Sequence, residues 1–556
     1  MIRTGAIEIP SDPRFKVFAN GYVYFKEKTS WDKEKRHSTD DRRCVGKLCS
    51  EKEGFFRPNA IYYSLFPDSE IKEEPGEIDD YLHFGSYLAL RESAEKCGAL
   101  GALKAAFPKK WEDILAYSVF MVDSEKARSQ RYEKWGFSNY AGIGHVISSE
   151  DTSRMFASVG YSDIDVFMTE FRKRYRESGI SDRKLVIAFD STNINTNSKG
   201  IETAEFGHPK KNEKLPVAST AMGVDESTGI PVYYEDFIGS LLDKTQLEAT
   251  RKKIREIGFR KVFLVFDRGY YKSEEIREIA KSNSFAIMVP DNVATSFDYI
   301  EKNGMGIRNR EAYFMKSENA YGIQLESDAF LGMHSYTYIF YDGTAAETER
   351  DTIHSKILAA ESLLERKKYD KATADEYSEY LTIKKGRNGK NIVVEKTEKI
   401  QREIDFAGFF MAVSNEKMAP EEMLSRLRKR DRAEKVFCQM KSFTDSEKCY
   451  CHGTQTYIGR NFVLFFALVM RLAFRFFEKD CFKKESYVSN DTTATVLGHV
   501  SKLIAYKTKG NGWQRKYALT SKMKSVFGNL GYDEKKIDEF LRTEVKSVEF
   551  QWECRF

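Results

Sequence analysis

The sequence is poor in the residues that mark a special class of chain. Eleven prolines and 35 glycines in 556 residues exclude a collagen-like chain and leave no room for a large disordered tract. The eight cysteines are scattered and include no CxxC pair, which excludes a disulfide framework and fits a reducing cytoplasm. Charge of one sign is scarce as well. Lys and Arg number 89 against 84 Asp and Glu, a net of +5, so only the distribution of charge could mark a nucleic-acid binder. Long hydrophobic runs are nearly absent. The exception, FVLFFALVMRLAFRFF at 462–477, is shorter than the roughly 20 residues of a bilayer span and is broken by Arg471 and Arg475. It is expected as a helix buried against a sheet. MIRTGAIEIPSDPRF holds no apolar stretch, so no signal peptide is expected, and the chain reads as cytoplasmic with no membrane partner.

What is present is a soluble globular composition, 41% hydrophobic and 31% charged, with length for about three or four domains. Residues 1–78 read as an N-terminal β region: VFANGYVYFKEKTSW alternates about an Asn20-Gly21 turn, and a polar, basic loop is expected from Lys33 to Arg43. Residues 79–183 read as helical, beginning with DDYLHFGSYLALRESAEKCG; a DNA-binding module and a plain helical scaffold fit equally. Ser149, with Asp151 and Thr152 ahead of apolar positions, marks a helix start. From 184 to 290 the texture changes to strand-strand-strand-helix-strand-helix-strand, beginning at KLVIAFD, which is the topology of the ribonuclease H fold. Residues 291–410 are too long for a loop and are expected to be a β-rich insertion. Residues 411–484 return to the core with a helix over 419–442, and 485–556 close with small helices. The expected class is α/β: a ribonuclease H-like core with that insertion, preceded by a β-hairpin and helical N-terminal region and followed by C-terminal helices.

Two of the strands end in aspartate, Asp190 in AFDST and Asp267 in VFDRGYY. Either alone is more simply a strand-end residue capping the next element. Together, on adjacent strands of one sheet, they can share divalent cations, which take oxygen ligands and leave positions for water and phosphate. A third carboxylate is expected from a helix, and Glu434 in RKRDRAEKVFCQMK is the candidate. Arg430 precedes it by four residues and Lys441 follows by seven, which at about 100° per residue puts all three within roughly 60° on one helix face. By spacing alone a solvated salt-bridge stripe is the commoner explanation. His208 with Lys210 and Lys211, the loop YKTKGNGWQRK with Trp513, and Trp31 beside Lys33 are weaker basic candidates, for which a surface loop is the simpler reading. Cys449, Cys451 and His452 lack the second half of a zinc site.

AFDSTNIN, VFLVFDRGYYKSEEIREI and the helix with Arg430, Glu434 and Lys441 at x3 and x6 spacing together resemble a DDE transposase of the insertion-sequence IS4-like superfamily, more narrowly its IS1634-type branch. GHPKKNEKLPVASTAMGVDESTGIPVYYEDFIGS resembles that family's second and third strands, and the likeness runs from about 184 to 480. The signature's tyrosine position falls on Leu427. The resemblance implies catalytic, metal-holding Asp190, Asp267 and Glu434, with a pair of Mg²⁺ ions for which Mn²⁺ can substitute. It implies water-driven cleavage at the element end, then attack of the freed 3′-hydroxyl on a second phosphodiester. DNA contacts would come from Arg430, Lys441, Arg268, Tyr271 and Arg428, and the partners would be double-stranded DNA of terminal inverted repeats and target, held by a homodimer. Two rivals remain: a catalytically inactive or repurposed transposase-derived DNA-binding protein, and a two-carboxylate hydrolase using Asp190 and Asp267 as acid and base.

Overall fold

A computed structural model describes residues 6–32, 37–49, 53–66, 78–124, 128–181, 184–206, 216–238, 243–257, 261–290, 293–365, 380–385, 391–430, 435–439, 448–449, 451–478, 493–508 and 512–545. Glu434, Lys441, His208, Lys210, Lys211 and Lys33 lie outside them.

Alternating apolar residues at the N-terminus fold as β1 (Ile7–Glu8), β2 (Phe15–Val17), β3 (Tyr22–Asp32), β4 (His37–Leu48) and β5 (Phe55–Pro58), an antiparallel sheet in the order β1-β5-β4-β3-β2. Gly21, at φ +77°, supplies the left-handed residue that turns β2 into β3. Val23, Phe25, Val45 and Phe56 face Tyr62 of the helix Ala60–Leu65 and form a small separate core. The basic loop expected to run to Arg43 gives way to strand from His37 onward. The reason is that β4 is held by backbone pairing to β3 beyond the reach of that core, so its polar side chains show no apolar alternation.

Residues 78–83, expected to start a helix, are β6 (Ile78–His83), and the helix begins only at Gly85. Five further helices complete the region: Ala99–Ala106, Trp111–Asp123, Ser129–Gly136, Ser149–Ala157 and Tyr161–Glu177. The helix at Ser149 is capped by Ser148, whose hydroxyl accepts from the amide of Asp151 at 3.0 Å.

The central sheet starts with β7 (Val186–Thr196), β8 (Val217–Asp225) and β9 (Pro231–Ile238), joined antiparallel, and continues with β10 (Phe263–Phe266) and β11 (Ser284–Met288), parallel to β7. Their spatial order is β9-β8-β7-β10-β11. Near-continuous burial of β7, β8 and β10 explains their unbroken apolar texture, since helices lie over both faces. The 291–410 segment adds β12 (Phe314–Met315), β13 (Ala320–Ser327) and β14 (Ser335–Tyr341), then a separate hairpin of β15 (Leu381–Lys385) and β16 (Asn391–Glu395), then β17 (Phe409–Ser414). β17 pairs antiparallel with both β11 and β14, so β12, β13, β14 and β17 prolong the central sheet. The hairpin and its neighbouring helices have a small core of their own around Ile353, Ile357 and Leu381.

The apolar stretch forms the helix Thr454–Glu478, whose most hydrophobic 18-residue window is 89% buried. Phe462 meets Phe107 and Phe167, and Phe465 stacks on Tyr234 of β9 at 5.0 Å, so this is an internal helix between the helical region and the sheet. β18 (Lys448–Cys449) precedes it. At the C-terminal end, β19 (Ile504–Thr508) and β20 (Gln514–Arg515) join β6 in a three-stranded sheet beside the helices Thr493–Val500, Ser521–Asn529 and Glu534–Thr543. Trp513, a candidate loop residue, is a buried core side chain there.

Candidate active site

Register decides the geometry of the carboxylates. Val186, Ile187 and Ala188 of β7 lie beside Phe263, Leu264 and Val265 of β10. Continued by two residues, this parallel register sets Asp267 beside Asp190, and the backbone at Asp267 is still extended at φ −78°, ψ 163°. Partners in a parallel pair project to the same side, so the two carboxylates share one face. Alternation identifies that face as the one carrying Val186, Phe263, Val265 and Ala286. Asp190 is buried, with its Oδ1 accepting the Ser191 amide at 2.8 Å, and Asp267 is about one-third exposed.

The edge of β7 facing β10 is open at this point. β10 occupies it as far as Ala188, and β18 takes it up again only at Asn195 and Thr196. Among the described residues no strand fills the interval, and Asp190 sits within it. A carboxylate on a strand flanked by a break in the ladder can be approached from the sheet edge as well as from its face.

The helix Pro420–Lys429 covers the same face. Proline at its first turn, two glutamates after it and basic residues in the last turn suit a helix of that polarity. Met423, Leu424 and Leu427 pack onto Val186, Phe263 and Val265. Leu427, the signature's tyrosine position, is therefore a core residue that docks the helix on the sheet.

Four cations along this helix reach carboxylates or rings elsewhere. Arg426 lies over the Phe263 ring at 4.5 Å and pairs with Glu422 at 2.8 Å. Arg428 bonds Glu318 at 3.0 Å and Asp342 at 2.7 Å, tying the helix to β12–β14. Lys429 meets Glu226 at 2.8 Å, just past β8. Arg430, at the C-cap and largely buried, places Nη1 3.7 Å from Oδ2 of Asp267. The chain is helical again over 435–439, with Val436 and Phe437 buried in the main core. The signature segment is thus held next to the second aspartate at one end and in the core at the other.

Of the remaining candidates, Arg268 is exposed in a single 3₁₀ turn after Asp267. Tyr271 is half-buried against the main core; burial raises its hydroxyl above the ordinary value, while a hydrogen bond with the Leu331 backbone lowers it. Cys449 is buried in β18, with Sγ accepting the Cys451 amide at 3.4 Å. Among the described residues no group of three or more His, Cys, Asp or Glu side chains is arranged to hold a metal.

One polar group was missed by sequence reasoning. Thr192, Thr220 and Asp236 are successive cross-strand partners on the Asp190 face. Burial raises the Asp236 carboxyl to about 6, opposed by hydrogen bonds from Tyr234, from Thr220 at 2.7 Å and from Asn461 at 3.4 Å. The alternation of Tyr234 and Asp236 was the available signal, but its partner Asn461 lies far along the chain. A cleft of about 610 Å³ also opens on this side of the sheet, near the start of β7. Glu226, Glu318, Glu421 and Glu422 line it together with Lys184, Arg426 and Lys429, a nearly balanced set in which Lys429 pairs with Glu226 and Arg426 with Glu422.

A sequence profile described as the transposase DDE domain matches residues 181–470, slightly more than half of the chain. No curated protein matches the sequence. Among solved structures, a chain of the cryo-EM structure of a piggyBac transposase synaptic complex with hairpin DNA is similar with a TM-score of 0.37 and 8% identity. The similarity covers 84% of this chain and 86% of that one.

Proposed function

The chain belongs to the transposase DDE domain family, and from that premise we propose that it cleaves and joins DNA at the ends of an insertion sequence. We place it in the IS4-like superfamily and its IS1634-type branch, with a ribonuclease H-like core. The strand order β9-β8-β7-β10-β11, with three antiparallel strands followed by two parallel ones, supports that core. The observation that carries the catalytic reading is the ion pair of Arg430 with Asp267, 3.7 Å apart. It supports the reading because Arg430, the first residue of the Arg-x3-Glu signature, stands at the face where Asp190 and Asp267 are in register. Glu434 is the proposed third carboxylate.

The donor set suits a divalent cation. Asp190 and Asp267 offer hard oxygen ligands from rigid strands, and Mg²⁺ bound by them and by Glu434 would activate the attacking oxygen and stabilise the leaving one at phosphorus. The protein's own contribution is placement. β7 and β10 fix the two aspartates relative to each other through the sheet ladder. Arg430 balances the charge of Asp267 and stands where a scissile phosphate would lie; its planar guanidinium can engage two phosphate oxygens. Lys441 supplies a point contact to the DNA backbone. The substrate is double-stranded DNA, terminal inverted repeat and target in turn, held by a homodimer.

The test is strand cleavage of a duplex carrying one element end, with Mg²⁺, with Mn²⁺ and with EDTA. Nicking that requires the metal supports the assignment. Tight end binding without nicking would instead favour an inactive, repurposed DNA-binding protein, and hydrolysis that persists in EDTA would favour a two-carboxylate hydrolase.

A further inference from the structure

The ribbon formed by β3 and β4 runs well past the core that supports it. Val23, Phe25 and Val45 are buried at its base, whereas Glu27 to Trp31 and Asp41 to Arg43 are exposed on both faces. An isolated two-stranded ribbon is marginal in water, and this one ends with Trp31 62% exposed. Its side chains fall into order on one face. Lys26 pairs with Arg42 across the strands, Thr29 with Asp40 and Trp31 with Ser38, a bulge between Lys26 and Lys28 keeping them in phase. Asp40 confirms the shared side by binding Lys26 at 2.9 Å, Arg42 at 2.7 Å and the Thr29 hydroxyl at 3.0 Å. Toward the base the same face continues through Tyr24, which meets Phe18 edge-on at 4.8 Å, and Tyr22, across which Lys47 lies at 5.8 Å. From Tyr22 to Trp31 the stripe is about 30 Å long at roughly 3.3 Å per residue.

Charge concentrates here. Residues 22–48 carry eight Lys and Arg against five Asp and Glu, a net of +3 in 27 residues of a chain that carries +5 in 556. Aromatic rings interleaved with cations on an open strand face suit a nucleic acid, because rings take bases or sugars while cations take phosphates. A two-stranded ribbon also fits the roughly 12 Å major groove of B-DNA. We propose that the β3–β4 ribbon is a DNA-docking arm that lays its Tyr24–Arg42–Trp31 face on duplex DNA. The inference rests on the transposase reading only for the identity of the partner.

The test uses the full-length protein and a labelled element-end duplex, with binding measured between 50 and 200 mM salt. The substitutions are Arg42→Gln with Lys47→Gln, both on the stripe face, and separately Trp31→Ala. These residues are exposed, and circular dichroism checks that the variants fold. The double variant is expected to bind roughly 10- to 30-fold more weakly at 0.15 M salt, with the log–log salt slope shallower by about 2. Trp31→Ala is expected to weaken binding with the slope unchanged, the mark of a stacking contact. Wild-type slope and affinity in both variants would overturn the arm, while wild-type nicking of the same duplex would leave the transposase reading standing. Loss of self-association in sedimentation, with DNA binding intact, would also overturn it by making the ribbon a contact between copies. Wild-type protein that neither binds nor nicks the duplex would overturn both.

Discussion

The helix Pro420–Lys429 and the β3–β4 ribbon are both dense in Arg and Lys, yet their cations have different tasks. On the helix the partners come from distant parts of the chain: Glu226, Glu318, Asp342 and, for Arg430, Asp267. Those pairs fasten the helix to the sheet and to its β12–β14 extension. On the ribbon the partners are local, Asp40 and Glu27 on the two paired strands themselves. A pair between adjacent strands of a ribbon holds no distant part of the fold in place and can exchange for a phosphate. Equal basicity in sequence therefore yields an internal fastening in one place and an outward-facing surface in the other.

The largest expected effect comes from breaking the helix side of this comparison where it meets the carboxylates. Asp190→Ala, Asp267→Ala and Glu434→Ala are each expected to lower strand cleavage by roughly 10³-fold or more, several kcal/mol of barrier, while end binding stays near wild type. Near-normal cleavage by any one of them in a gel assay would remove that residue from the site. Next come the fastenings. Leu427→Tyr, which restores the signature's tyrosine, is expected to cost about 1–3 kcal/mol by overpacking the buried contact with Val186 and Phe263. Arg428→Ala is expected to cost about 1–2 kcal/mol by denaturant unfolding, with cleavage per folded molecule unchanged. A loss of DNA affinity at unaltered stability would move Arg428 from the fastened group to the DNA-facing one.

Smaller effects sharpen the contrast. Lys441→Ala is expected to weaken end binding about 5-fold and to make the salt slope about 0.9 shallower, the signature of one phosphate contact; an unchanged slope would place it among the fastenings. The smallest concerns Glu235 on β9, whose carboxyl burial lifts to about 7 against the opposing Tyr233 hydroxyl and Lys253 charge. A carboxyl raised in the folded state stabilises the fold below its ordinary value of about 4.5 and ceases to do so as pH rises through about 7. Wild-type stability is thus expected to fall across that window, and Glu235→Gln to flatten the curve in unfolding titrations. Parallel curves for the two proteins would show that Glu235 does not govern this dependence.

Much of the central sheet could be read directly. KLVIAFD, KVFLVFD and SFAIMVP are continuous apolar runs because helices lie over both faces, so burial itself writes the pattern. The strands β4, β6, β19 and β20 could not be read in the same way. β6 pairs with β19 more than four hundred residues away, and outer β4 pairs with β3 past the end of the N-terminal core, so neither pairing is written in a local alternation. Leu427 shows the reverse limit: the motif marks only that a tyrosine is replaced there, while packing on Phe263 makes the residue part of the core.

By itself the sequence determined the transposase DDE match, the aspartates of two buried strands and a basic helix, because each is a local pattern of residue type and spacing. It put Asp190 at a strand end, however, where β7 continues to Thr196, and ran the helix to 442 where it stops at Lys429. Only the tertiary structure decided that Asp190 and Asp267 share a face, that Arg430 meets Asp267, and which cations are engaged inside the fold. Those facts depend on strand register and on contacts between residues 86 or more positions apart, and no local period encodes them.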